Sequence, residues 1–131
     1  MTHKTIQPEG WLPAKGYANG MLTKDGTLHI GGQIGWDANK TFTSDSFIGQ
    51  MRQALSNIRE IVEAAGGTVE DVTRLTWFVT DKAEYLAAQA EVGRAYREIF
   101  GKHFPAMSMV VVSALVEDEA KVEIEATAHL S

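Results

Sequence analysis

The segment FPAMSMVVVSALVEDEAKVEIEATAHLS, residues 104–131, constrains the architecture of this chain more than any other. Met107 to Leu115 is a nearly continuous apolar run, of a length that suits a strand buried on both faces. The charged segment Val116-Glu117-Asp118-Glu119-Ala120 interrupts it as a turn. From Lys121 the pattern becomes strict alternation. Val122, Ile124, Ala126 and Ala128 point one way, and Lys121, Glu123, Glu125, Thr127 and His129 the other. One face of this last strand therefore belongs to a core, and the other carries two carboxylates at i, i+2 spacing. Any chemical site is expected beside that face.

Upstream, Gly101 ends a helix running from about Asp81 to Phe100, capped by Thr80 or Asp81. Its buried stripe is Tyr85, Leu86, Ala90, Val92, Tyr96, Ile99 and Phe100. The β-branched and aromatic run Val72 to Val79 precedes it as a strand. Before that, Phe47, Met51, Ala54, Leu55, Ile58, Ile61, Val62 and Ala65 recur at helical spacing. Thr43 or Ser44 is the expected cap, Gln50, Arg52 and Gln53 lie outside, and Gly66-Gly67 is the stop. Tyr17–Leu22 and Thr27–Gln33 read as a hairpin across Thr23-Lys-Asp-Gly26. The Gly31-Gly32 pair inside its second strand marks a bulge or a close approach by a ligand. Residues 1–15, with two of the three prolines, read as an irregular lead-in. The order is ββαβαββ: one α+β domain spanning 1–131, with two helices on one face of a single sheet.

Composition narrows the function. The 131 residues carry a net charge of −5 without a basic stripe, which argues against a nucleic-acid partner. No cysteine is present, so disulfide and thiolate chemistry are excluded. His3, His29, His103 and His129 are too scattered to suggest a metal site. No apolar run is long enough to span a membrane, and the N-terminus lacks a signal-peptide pattern, so a soluble cytoplasmic protein is expected. Two helices cover only one side of the sheet. The apolar groups of Met109 to Val112 on its other side lead to an expectation of self-association.

Several landmarks together resemble the YjgF/RidA family of enamine/imine deaminases over roughly residues 16–128. They are Gly32-Gln33, Ala54-Leu-Ser-Asn-Ile58 leading to Glu63-Ala-Ala-Gly66, Phe104-Pro-Ala106 and Lys121-Val-Glu-Ile-Glu-Ala126, in an element order that also matches. The resemblance implies a chorismate-mutase-like fold and a homotrimer whose helix-free sheet faces meet, with small-molecule clefts between subunits. It further implies hydrolysis of reactive enamines and imines to carbonyl compounds and ammonia, as metabolite detoxification, without metal or cofactor. Ribonuclease activity has also been attached to this family, and the acidic balance argues against it here.

Carried over position by position, the family's water-associated glutamate is Glu123 and its cleft tyrosine Tyr17, preceded here by Gly16 instead of proline. Its serine before Gly-Gln is Gly31, and backbone amides near Gly31 and Ala106 are the expected polarising donors. The arginine that grips the substrate carboxylate is Met107, and the helix asparagine falls at Gln89 or Gly93. A guanidinium offers paired, charge-assisted hydrogen bonds and methionine offers none. Its loss from a partly buried site costs about 2–5 kcal/mol. Either the substrate lacks that carboxylate, another cation such as Arg74 replaces the anchor, or the cleft binds a small molecule without turnover. As a bare pattern, Glu123 and Glu125 are polar residues on an outer strand face, Tyr17 a strand tyrosine, and Met107 and Met109 core packing. The family's role is added for Glu123 alone of the two glutamates.

Overall fold

The computed structural model describes residues 2–131. Six strands form one sheet: β1 (Lys4–Ile6), β2 (Gly20–Leu22), β3 (Thr27–Gln33), β4 (Val72–Val79), β5 (Ala106–Val111) and β6 (Val122–His129). Their spatial order is β1-β2-β3-β6-β4-β5, so the last strand of the sequence lies near the middle of the sheet. All pairings are antiparallel except β4 with β5. Helices α1 (Phe47–Ala64), α2 (Lys82–Ala87) and α3 (Gln89–Phe100) complete the α+β domain.

The alternation along β6 is realised. Val122, Ile124 and Ala128 are fully buried and Ala126 nearly so, against Leu28, Leu75 and the apolar stripe of α1. Each fully buried Leu or Ile contributes about 1.5–3 kcal/mol. The hairpin turn also forms as read, with Gly26 at φ 94° and its amide donating to the Thr23 carbonyl at 3.1 Å. Gly66 (φ 96°) and Gly101 (φ 65°) follow the ends of α1 and α3 in the left-handed region.

Several expectations are corrected. The lead-in contains β1, which pairs with β2 and buries Ile6; three residues are too few to show a pattern. Strand β2 is shorter than expected and leaves Tyr17 and Ala18 outside the sheet. The cap of α1 is Ser46, whose Oγ accepts from the Gly49 amide at 3.0 Å, while Ser44 braces Ser46 instead. Gln50 faces inward. Its amide donates to the Glu119 carbonyl (2.9 Å) and the Ser44 carbonyl (3.2 Å), and it accepts from the Lys121 amide (2.8 Å). That side chain stitches the acidic loop and the start of β6 to α1.

The expected single helix from Asp81 to Phe100 breaks at Ala88 (φ −110°, ψ 10°). Alanines flank the break, so helix propensity does not explain it. Tertiary ties orient α2 separately: Glu84 reaches Lys121 at 3.4 Å, and Tyr85 meets Phe47 edge-on. Leu86 and Ala90, expected inside, are exposed. The apolar run after Met107 is not buried on both faces. Strand β5 stops at Val111 and is an edge strand with β4 as its only neighbour, so Met107, Val110 and Val111 are 41%, 44% and 54% exposed.

Candidate functional site

Cross-strand register defines the helix-free face. Glu123 sits opposite Phe78, which sits opposite Val110, and Glu125 sits opposite Thr76, which sits opposite Ser108. On the β3 side of Glu123 the ladder is irregular. A bulge lies between Ile30 and Gln33 and places Gly32 against the Glu123 carboxyl. A Cβ at residue 32 would overlap Glu123 Oε2 and lie 2.6 Å from its Cδ, so any side chain there would make the carboxylate shift from this position. Gly31 faces elsewhere: its Cβ position is 3.2 Å from the Ala18 carbonyl oxygen.

Buried polar groups hold the bulge in place. The Gly31 amide donates to the Asn19 carbonyl (2.9 Å), and the Gln33 side-chain amide donates to Asn19 Oδ1 and to the Gly31 carbonyl (3.1 Å each). Asn19 in turn donates to Gln7 Oε1 at 3.0 Å. Asn19 and Gln33 are 7% and 3% exposed, and a satisfied network at that depth rigidifies what it touches. The sequence reading named Gln33 only as a landmark and missed Asn19. A buried asparagine leaves no periodic trace.

In front of the bulge is an open concavity of about 320 Å³, lined by Tyr17, Asn19, Gly32, Trp36, Glu117 and Glu123 among others. Tyr17 is 51% exposed, not a core tyrosine with a surface hydroxyl. The Lys40 ammonium holds it, lying 5.6 Å from the Tyr17 ring centroid and 5.9 Å from that of Trp36 and donating to the Pro13 carbonyl at 3.0 Å. Lys40 adopts φ 57°, a left-handed conformation uncommon for lysine. Burial raises the Glu123 carboxyl above its ordinary 4.5, and the adjacent Glu125 carboxylate pushes it the same way. The concavity therefore offers a half-buried carboxyl that holds its proton more tightly than a free one.

Of the other expected site residues, Ala106 and Met107 are not brought to Glu123 within one chain. Ala106 shares its face but lies four residues before Val110 on β5, about 13 Å along the strand. Met107 points to the helix side, where it lines a second cavity of about 410 Å³ with Trp77, Gln89, Gly93, Tyr96 and Phe104. Both positions read as counterparts of the helix asparagine, Gln89 and Gly93, thus lie beside Met107. Arg74 sits opposite Ala106 and Thr127, also about 13 Å along its strand from Phe78, and does not line the Glu123 concavity. His103 is structural: its Nε2 meets the Val72 carbonyl at 2.7 Å, and its own carbonyl accepts from the Tyr96 hydroxyl at 2.7 Å. Among the described residues no group of three or more His, Asp or Glu is placed to hold a metal ion, and no helix is long and apolar enough to cross a membrane.

A single sheet covered by helices on one side, with a half-buried glutamate of β6 on the other, defines a small α+β class. Residues 9–130 match the family model described as Endoribonuclease L-PSP, and the chain belongs to this family, also called YjgF/Rid. The YjgF gene product of E. coli is 36% identical over 98% of this chain and 99% of its own, with a TM-score of 0.82. E. coli TdcF, solved with bound serine, is 32% identical over 98% and 99%, with a TM-score of 0.82. YyfA of Yersinia pestis, a Rid-family protein of unknown function, is 30% identical over 98% and 99%, with a TM-score of 0.84. The YjgF-like fold expected from the sequence is the fold observed.

Proposed function

We propose that this chain hydrolyses a small reactive enamine or imine to a carbonyl compound and ammonia. The observation that carries the reading is Glu123: a half-buried carboxyl, raised by desolvation, packed on Gly32 at the wall of the Tyr17 concavity. An imine carbon is already electrophilic. Glu123 takes a proton from water as its oxygen adds to that carbon and returns it to the nitrogen, giving a carbinolamine; it then carries the hydroxyl proton to the nitrogen, which leaves as ammonia while the C=O bond forms. The Gly31 amide is committed to the Asn19 carbonyl, so in this reading the polarising backbone amides are those near Ala106 of a neighbouring subunit. No cofactor is assigned a step.

The active assembly in this reading is a homotrimer joined through the helix-free sheet faces. Two features support it: Val110 stands 44% exposed on that face, and the Glu123 concavity and the Met107 cavity each remain open within a single chain. A neighbouring copy would bring the β5 edge of one subunit to the Glu123 of the next. Serine bound in the similar TdcF is consistent with small-molecule clefts in this family.

The test is ammonia release from imines generated in situ, with wild type, Glu123→Ala and Met107→Arg, alongside light scattering for the assembly mass. Turnover lost in Glu123→Ala supports the reading. Silence from all three proteins would leave the rival, a binding or protective trimer without turnover, which the absent arginine and serine at Met107 and Gly31 favour.

A further inference from the structure

The cavity beside Met107 has a chemistry of its own. It lies between α3 and the β4–β5 edge, and at about 410 Å³ it is the size of a small-molecule pocket. None of the residues lining it is charged. Its walls are Met107, Met109, Val92 and the rings of Tyr96 and Phe104, which stack at 5.3 Å with 15° between planes. The Tyr96 hydroxyl is already committed to the His103 carbonyl. Gln89 adds a neutral donor and acceptor. At the bottom, Trp77 is 2% exposed, and its indole N–H is the one buried side-chain N or O atom among the described residues without a hydrogen-bond partner. Buried donors are nearly always paired, so the orphan in a residue that lines the cavity has room for an acceptor from outside the chain, a water or a ligand atom. Met109, the register partner of Trp77 on β5, is an unbranched thioether able to swing aside to admit one.

From this we infer that the cavity binds an uncharged, apolar small molecule carrying one hydrogen-bond acceptor, such as a neutral amide, ketone or aldehyde, and excludes carboxylates. The Arg97 guanidinium lies beside Gly93 but outside the lining, so a carboxylate entering the cavity would lose hydration that no lining side chain replaces with a positive charge. As a statement about substrate the inference rests on the deaminase reading: the imine would lack a carboxylate, as R–CH=NH, and hydrolyse with one water to R–CHO and NH₃. As a statement about binding it needs no turnover.

The experiment separates the two. Isovaleramide and isovalerate share one apolar body and differ in charge. Each is titrated into the full-length protein at pH 7, with amide chemical shifts followed for residues 85–93 and 104–109. The expected result is saturable shifts in those segments with isovaleramide, and affinity for isovalerate lower by about tenfold or more. Met107→Arg, at a 41% exposed position that accommodates the longer side chain, reverses the preference. Trp77→Phe, which keeps an aromatic side chain of smaller size and deletes the N–H, weakens isovaleramide binding. Equal affinities, a preference for isovalerate in wild type, or no binding of either probe would overturn the inference. A parallel assay compares ammonia release from imines made by an amine oxidase with that from 2-imino acids made by an amino-acid oxidase. If neither is hydrolysed while the binding preference holds, the deaminase reading fails and the pocket assignment stands.

Discussion

The carboxyl group of Glu123 packs directly on Gly32, close enough that a Cβ at position 32 would overlap Oε2. The two residues come from opposite ends of the chain and meet through the β3 bulge. Gly32→Ala is therefore expected to displace the carboxylate while leaving the fold intact. The clash is with the flexible end of a side chain at an exposed position, so the stability cost is expected to be small, about 0.5 kcal/mol. A displaced catalytic group costs about a hundredfold in rate. Thermal melts and ammonia release on the same preparation check both, and full activity in Gly32→Ala would show that Glu123 has no positional role.

Glu123 also makes stability depend on pH. Its folded carboxyl titrates above the ordinary 4.5, so the native state holds a proton that the unfolded chain releases. The contribution of Glu123 to stability is then greatest below 4.5 and declines as pH rises through the folded value. Glu123→Gln removes this penalty. It is expected to melt higher than wild type at pH 7, with the difference vanishing toward pH 4, while losing about a hundredfold or more in hydrolysis. A lower melting temperature than wild type at neutral pH would contradict the assignment.

Lys40 positions Tyr17. Its ammonium bridges the Tyr17 and Trp36 rings, a contact of about 0.5–1 kcal/mol at an exposed site. Lys40→Met is expected to raise KM about three- to fivefold, with kcat changing less, and Lys40→Arg to restore it. Steady-state kinetics decide the split. Equal loss in both variants would mean that the contact is incidental.

Gln50 is a stability residue with no chemistry. Gln50→Leu leaves the Lys121 amide and the Glu119 carbonyl without their partners, at roughly 1–3 kcal/mol for each group. A fall in Tm of several degrees is expected, with faster amide exchange confined to residues 117–122. An unchanged Tm would show that the loop finds other partners.

Much of this fold was legible because its signals are local. The helical spacing from Phe47 to Val62 and the alternation from Val122 to Ala128 depend on periods of 3.6 and 2, which hold wherever the element is placed. What resisted reading depended on neighbours. Gln50 looked like a surface residue until the Glu119 loop was laid over it. The Met107 to Leu115 run looked fully buried because its hydrophobicity says nothing about its edge position. The break at Ala88 has no local signature at all.

The candidate site divides the same way. Sequence by itself placed Glu123 on the polar face of a core strand, put an uncharged side chain at Met107, and marked Gly31-Gly32 as irregular. Only the tertiary structure decided that Gly32, not Gly31, meets the carboxylate, that Asn19 and Gln33 hold the bulge, and that Met107 opens into a separate cavity over Trp77. Side-chain direction along a strand is dictated by the backbone of that strand alone. Which groups then face one another depends on strand order, register and bulges, and these are set by contacts between segments far apart in the chain.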